Sequence, residues 1–339
     1  MHHFCTYFDH RYLGKGLALL TSLRRHCPEA ILWVLALTET CRTLISQGHQ
    51  GIEVIDLDEV EDEILRTARR NRSLIEYYFT LTPVLPLYLL THRPEIDRIT
   101  YVDCDTWFFT SPVPVLNELG NASIGITPHR FTAPYHHLEI YGRYNVGWMT
   151  FRHDKNALAC LHWYRDRCIE WCYDRVEKER FADQKYLDYI FQHIAGVRSI
   201  DHPGVNLAPW NVMGHWIVNN NGKITVDGQP LVHFHFHGLQ RLAWHFYDTG
   251  LAAYGGQLTP TLREYIYRPY LREVCHVESK FATQIVPNTK KKEMDSLRPN
   301  GTNFTYLQIT FPHLFEQLRM TKRLLRVLTA RTMIACRNS

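Results

Sequence analysis

Over the first hundred positions, short runs of β-branched and aromatic residues alternate with segments whose apolar residues recur every three to four positions. Phe4 to Phe8, Ile31 to Leu37, Ile52 to Leu57 and Ile99 to Val102 read as strands, and Lys15 to His26 and Glu39 to Gln47 read as the helices between them. Such alternation builds right-handed βαβ units and a mostly parallel sheet. A long helical stretch from Glu61 to Leu90 precedes the fourth strand. It is expected to break near Thr82-Pro83, because proline lacks an amide N–H and crowds the preceding turn. Its arginines, Arg66, Arg69, Arg70 and Arg72, read as a solvated face, with a diphosphate contact from Arg72 as the functional alternative.

Further along, Ser123 to Thr127 and Val146 to Phe151 read as strands, and Lys155 to Glu179 as a helix with Cys160, Trp163, Arg167 and Trp171 at helical spacings. Trp210, in the loop Asn206 to Asn211, reads either as a platform under a sugar or as a packed loop residue. Asn219-Asn220-Asn221-Gly222 is a hairpin turn between Trp216–Val218 and Ile224–Val226. Pro287 to Gly301, with Lys290-Lys291-Lys292, is polar and reads as a linker. Phe311 to Ile334 has Leu314, Leu318, Leu324, Leu325 and Leu328 at helical spacing among Arg319, Lys322, Arg323, Arg326 and Arg331. This pattern suits a helix docked on its own domain or lying on an anionic membrane surface. The expected division is a catalytic domain over 1–255 and a helical extension over 256–339.

Composition narrows the class. With 339 residues, 45% hydrophobic and 21% charged, the chain can bury a large core. A net charge of +4, with aromatics scattered rather than spaced along a basic groove, gives no reason to expect a nucleic-acid partner. The nine cysteines show no Cys-x-x-Cys spacing, which fits reduced thiols. The start shows no signal-peptide pattern, and no run approaches the roughly 18 to 20 apolar residues of a spanning helix. A cytoplasmic location is therefore expected, with peripheral membrane contact through the C-terminal basic helix as the alternative to its docking on its own domain.

Two segments carry candidate chemistry. Asp103-Cys104-Asp105 follows the strand-like Ile99–Val102 and precedes Trp107-Phe108-Phe109. It delivers two hard oxygen ligands at a strand's carboxyl end, where open α/β sheets bind ligands. Far along the chain, His233-Phe234-His235-Phe236-His237-Gly238 alternates strictly. A strand there puts the histidines on one face and the phenylalanines on the other. Imidazole beside carboxylates is a common first-row metal ligand set, and oxygen-rich coordination with one histidine fits Mn²⁺ or Mg²⁺, tilting toward Mn²⁺.

With these segments in view, the chain resembles metal-dependent nucleotide-sugar glycosyltransferases of the GT-A fold, the family of glycogenin and the bacterial lipopolysaccharide galactosyl- and glucosyltransferases. The likeness rests on Phe4–Asp9 through Leu23, Tyr101–Asp105, Asn145-Val146-Gly147-Trp148-Met149, Asp183-Gln184-Lys185-Tyr186-Leu187, and His235-Phe236-His237-Gly238 with Trp244, in that order. Arg241-Leu242-Ala243 replaces the family's Lys-Pro before that tryptophan.

The resemblance implies a GT-A sheet flanked by helices, a UDP-sugar donor and a glycan or lipid-linked acceptor, in surface polysaccharide or lipopolysaccharide synthesis. It implies Asp103, Asp105 and His235 as metal ligands, with His235 preferred over its two neighbours. Asp183, Gln184 and Asn145 would meet the donor sugar. Thr6, Phe8 and Asp9 would hold base and ribose, and Cys104 belongs to the donor-binding segment. Retention of configuration is implied, with Gln184 near the anomeric carbon. Glu139 is the carboxylate that would instead serve an inverting mechanism.

Two other classes share some of these features. A metal-dependent phosphohydrolase or nucleotidyltransferase also uses paired carboxylates, although Thr6-Tyr7-Phe8-Asp9-His10 lacks the Gly-rich basic loop common in nucleotidyltransferases. A non-catalytic sugar-nucleotide binding module needs neither the aspartate pair nor the histidine strand.

Overall fold

The predicted alternation is realised around a seven-stranded sheet in a computed structural model, which describes residues 1–46, 51–243, 246–281, 323 and 332–335. Its parallel half contains β1 (His3–Phe8), β2 (Ile31–Ala36), β3 (Ile52–Asp56) and β4 (Arg98–Val102), in the order β3-β2-β1-β4. The short β5 (Thr106–Phe108) leaves the sheet. β6 (Ile124–Pro128), β7 (Tyr144–Arg152) and β8 (Val197–Ser199) then complete it in the order β4-β7-β6-β8. β7 is antiparallel to both neighbours, and the remaining pairs are parallel.

The helices on the two faces are α1 (Leu13–His26), α2 (Glu39–Ser46), α3 (Leu57–Val60), α4 (Glu63–Arg70), α5 (Leu74–Leu81), α6 (Val84–His92), α7 (Val113–Glu118), α8 (Lys155–Glu170) and α9 (Tyr186–His193). The stretch expected as one helix with one break is thus three helices. The extra break falls at Ser73, whose hydroxyl accepts from the Glu76 amide while the Glu76 carboxylate accepts from the Ser73 amide, a capping box that starts α5. The helix expected to reach Glu179 stops at Glu170, because Trp171 is extended.

One core cluster lies between the sheet and α5, α6 and α8, and a second between the sheet and α1, α2 and α7. Leu74–His92, spanning α5 and α6, is long and apolar enough to cross a membrane, with a mean hydropathy of 1.2, which the sequence reading did not anticipate. Most of it lies inside the first core, as expected of a central helix pair.

β9 (Ile217–Asn220) and β10 (Lys223–Val226) form the expected hairpin, with Asn221 and Gly222 both at positive φ (52° and 86°), as a type I′ turn requires. β11 (Gln229–Pro230) extends it, and β12 (His233–His235) pairs antiparallel with β5. β13 (Gln240–Ala243) and β14 (Phe246–Asp248) precede α10 (Arg268–Phe281), and β15 (Met333–Ala335) pairs with β14.

Residues 333–334, expected to end a basic helix, are therefore in a strand. Trp244, the tract Pro287–Gly301 and the rest of the predicted helix apart from Arg323 and Thr332 lie outside the described residues. A third core cluster joins Phe234 and Phe236 to Leu262, Ile266, Tyr270 and Val274, so buried packing runs on past the boundary expected at residue 255.

Candidate active site

β4 is buried to Val102, and the chain then turns through Asp103-Cys104-Asp105 into β5. The Thr106 hydroxyl donates to the Asp103 carbonyl at 2.7 Å and fixes this turn. β12 lies antiparallel to β5 with His235 opposite Thr106, and the Phe236 amide donates to the Asp105 carbonyl at 2.9 Å. One short ladder thus carries His235 to the two aspartates. Alternation does the sorting: Phe234 and Phe236 enter the third core, where Phe236 stacks on Tyr270 with ring centroids 3.8 Å apart, while His235 faces the aspartates.

The three histidines have three different fates. His233 is fully buried against Phe108 and Trp148, and neither ring nitrogen has a hydrogen-bond partner. Burial pushes its imidazole well below the ordinary value, so it is a neutral core residue. His237 lies past the end of β12 and is exposed.

His235 Nε2 stands 3.0 Å from Asp105 Oδ1 and 3.7 Å from Asp103 Oδ2, and one ligand atom from each of the three residues falls within 4.8 Å of the others. Two carboxylates and an imidazole nitrogen at this separation fit a small divalent cation of the Mn²⁺ or Mg²⁺ kind. Burial raises the Asp103 carboxyl, and the Asp105 charge adds to that against the pull of His235. Burial pushes Asp105 up too, but the charge and hydrogen bond of His235, with Lys15 behind them, win and hold it below the usual range. Burial alone would lower His235, yet the two carboxylates outweigh it and raise its pKa. The Tyr101 hydroxyl donates to Asp103 Oδ1 at 2.7 Å and orients that carboxylate.

Because β7 runs against β4, its first residues arrive at the same edge of the sheet, and the Asp103 amide donates to the Gly147 carbonyl at 3.3 Å. Asn145 is a hub there. Its Oδ1 accepts from the Gly147 amide at 2.9 Å and from Asn206 Nδ2 at 3.1 Å, and its Nδ2 donates to Gln184 Oε1 at 2.9 Å. Gln184 Nε2 in turn donates to the Tyr141 carbonyl at 3.0 Å, so the amide is held at both ends.

Asp183 follows Ala182, a non-glycine residue at positive φ (45°), which marks a strained turn. It is 2% exposed with Oδ2 lacking a partner. Burial, with repulsion from Asp103, raises its carboxyl to about 7 against the pull of the Thr82 hydroxyl.

The other predicted site residues are placed as follows. The Asp9 carboxylate is engaged by the Arg11 amide (2.9 Å), Arg11 Nε (2.7 Å) and the Tyr78 hydroxyl (3.0 Å), capping the turn after β1. The Phe8 ring lies in the core against Gly16 of α1, so it does not present itself to a nucleotide. Thr6 is buried with an unpartnered hydroxyl. Arg72 donates to Thr80 Oγ1 and to the Ile169 carbonyl and lies over the Tyr173 ring, which ties α5 to the end of α8. The Cys104 thiol is raised well above its ordinary value by burial and by the neighbouring aspartates. Trp210 is buried edge-on to the rings of His129 and His235, so it is a packed loop residue rather than a platform. Glu139 is exposed and lines a cavity of about 240 Å³ with Arg130, His136 and Arg143.

Sequence reasoning missed Lys15, whose ammonium lies 4.0 Å from Asp105 Oδ2, because a lysine in a helix's first turn reads as a solvated residue. It missed Asn206 and Tyr101 because a loop asparagine and a strand tyrosine carry no spacing signal.

No family model matches the chain. It is 30% identical over 244 residues to the uncharacterized protein YfnF of Bacillus subtilis (strain 168), across 69% of this chain and 80% of YfnF. It is 28% identical over 240 residues to the uncharacterized protein YfnD of the same organism, across 70% of this chain and 77% of YfnD. Among solved structures it is similar to the galactosyltransferase LgtC in complex with donor and acceptor sugar analogs, with a TM-score of 0.55 and 16% identity, covering 84% of this chain and all of LgtC.

Proposed function

Since the chain belongs to the family of YfnF and has the GT-A glycosyltransferase fold, we propose that it is a metal-dependent glycosyltransferase moving a hexose from a nucleoside-diphosphate sugar, UDP-sugars foremost, to a glycan or glycolipid acceptor. The observation that carries this reading is the convergence of Asp103, Asp105 and His235 at the carboxyl edge of the sheet. That edge lies beside the β1/β4 junction, where the strand order reverses and α/β sheets take their ligands. A bound Mn²⁺ or Mg²⁺ would supply positive charge to the diphosphate that departs when the anomeric bond breaks. The protein's part is to hold that cation between the three side chains, with Tyr101 and Thr106 fixing the aspartate turn.

Asp183, with its unpartnered buried oxygen, receives donor-sugar hydroxyls, and Gln184 presents an amide held by Asn145 and Tyr141. An amide in that place suits retention of configuration, the departing phosphate taking the acceptor's proton. A role in bacterial surface polysaccharide or lipopolysaccharide synthesis, on the cytoplasmic side of the membrane, belongs to the same proposal.

Incubation with a panel of nucleotide sugars, in Mn²⁺ or in EDTA, tests it. Metal-dependent release of nucleoside diphosphate, lost in Asp105→Ala, is the expected result. Release of nucleoside monophosphate with sugar phosphate would assign a phosphohydrolase instead. NMR of the isolated product decides the stereochemistry, and an inverted anomer together with an inactive Glu139→Gln enzyme would replace retention.

A further inference from the structure

Asp105 faces two nitrogen groups with its two oxygens. Oδ1 takes His235 Nε2 at 3.0 Å, and Oδ2 faces the ammonium of Lys15 at 4.0 Å. The second contact runs against the site's purpose if that purpose is only to hold a divalent ion, because a fixed positive charge beside the ligands repels it. The lysine is not placed there by chance packing. Its ammonium donates to the Leu239 carbonyl at 3.1 Å and lies 5.2 Å from the centre of the Tyr12 ring, so α1 and the turn after β12 aim it together.

An ammonium has three donors, and the Asp105 separation is too long for a hydrogen bond, so the Leu239 carbonyl accounts for one of them. About a fifth of the Lys15 side chain is exposed, comparable to Asp105 itself. The arginine following that turn points elsewhere: Arg241 pairs with Glu278 at 2.9 Å and bonds the Tyr247 hydroxyl.

A bound divalent ion would meet two carboxylates and a neutral imidazole, and Lys15 adds a positive charge on the Asp105 side that this ligand set does not need. Glu278, the carboxylate of α10 that also faces Lys15, is paired with Arg241. Such a site attracts an anion that reaches both the metal and the ammonium.

We infer that Lys15 is a diphosphate-binding residue, contacting the phosphoryl oxygens of the nucleotide beside the Asp103–Asp105–His235 triad. This rests on the transferase reading above. Lys15 then costs metal affinity when no nucleotide is present and adds nucleotide affinity once the metal is bound.

The test uses the full chain, with Lys15→Met to remove the charge at similar length and Lys15→Arg to keep it. Mn²⁺ binding is followed by electron paramagnetic resonance. UDP, GDP, ADP, CDP and dTDP, each beside its nucleoside, are titrated calorimetrically in Mn²⁺. The expected result for Lys15→Met is Mn²⁺ binding alone that tightens severalfold, nucleoside diphosphate binding that weakens about tenfold or more, and nucleoside binding that stays unchanged, with Lys15→Arg close to wild type. A merely structural lysine would not move Mn²⁺ and diphosphate affinity in opposite directions. Equal diphosphate affinity in wild type and Lys15→Met overturns the role of Lys15 and leaves the transferase reading intact. A wild type that binds none of the five diphosphates in Mn²⁺ overturns both.

Discussion

A Cβ built on Gly147 would stand 2.6 Å from both Asn145 Oδ1 and His235 Nδ1, closer than real Cβ atoms approach, so the absence of a side chain there leaves room for both. Gly147→Ala must displace one of them, and Mn²⁺ affinity or turnover is expected to fall about tenfold or more. A variant with wild-type Mn²⁺ affinity and turnover would count against this. His235 gives a second expectation. Its pKa is raised above 6.5 in the metal-free protein, and a metal ligand must be deprotonated, so metal binding releases a proton. Mn²⁺ affinity should therefore rise with pH until the raised pKa is passed and level off above it; a pH-independent affinity would show that the imidazolium does not form. Asp183 gives a third. Its folded pKa, about 7, exceeds the ordinary 3.8, so its protonated form favours the native state. That contribution is complete below pH 3.8 and is lost as pH rises through 7. Asp183→Asn should flatten this part of the metal-free stability profile and gain relative to wild type at pH 8. Parallel urea-denaturation profiles would refute it. These residues differ in how legible they were. Asp103 and Asp105 stood out because a strand-end acidic pair is visible in one dimension, and alternation put three histidines on one face, of which the family resemblance picked His235. The burial of His233 and Phe8 depends on what packs over them from distant segments, which no local pattern records.

At the scale of elements, the β12–β5 ladder and the turn beyond it are braced from the far end of the chain. Arg323 Nε donates to Asp248 Oδ2 at 2.6 Å, Nη2 donates to the Gly238 carbonyl at 2.7 Å, and Nη1 donates to Gln240 Oε1. The Thr249 hydroxyl donates to the Thr332 carbonyl at 2.7 Å, and β15 adds itself to β14. Asp248 is 1% exposed, so removing its guanidinium leaves a buried carboxylate unpaired, a loss on the order of 3 kcal/mol. Arg323→Ala is expected to lower stability by about that much, and adding Asp248→Asn should recover part of it, because the second change removes the orphaned charge. Strict additivity of the two changes in urea denaturation would show that the pair is not coupled. The early βαβ alternation and the Asn221-Gly222 hairpin were legible because period and turn chemistry are local. The reversed β7 was not, since strand direction depends on which edge receives it. The strand at 333–335 was hidden too, because Met333 and Ile334 fit a helical stripe as well as a strand until β14 is known to lie beside them.

For the whole molecule, the question is where the folding unit ends. Sequence put the catalytic domain's boundary at 255, yet α10 packs across the first turn of α1, where a Cβ on Gly14 would meet the Glu278 side chain at 2.8 Å. The third core joins Phe234 and Phe236, which flank His235, to Leu262, Ile266, Tyr267, Tyr270, Leu271 and Val274. Each of these six side chains is almost fully buried. Large buried side chains contribute roughly 1.5–3 kcal/mol apiece, so six together are of the same order as the roughly 5–15 kcal/mol by which a typical domain is stable. A chain ending at residue 255 is therefore expected to fail as a folded unit, giving no cooperative melt and eluting as aggregate. A chain ending at residue 281 keeps these six side chains and loses Arg323, β15 and the core side chain Ile334, so it should fold with reduced stability. Its Mn²⁺ affinity should fall as well, since Gly238 and Gln240, just past His235, lose their brace. Circular dichroism melts and size-exclusion profiles of the two truncations separate the cases. A cooperative, monomeric 1–255 fragment that binds Mn²⁺ like the full chain would restore the boundary read from the sequence and show that α10 is an appendage to the metal site's support.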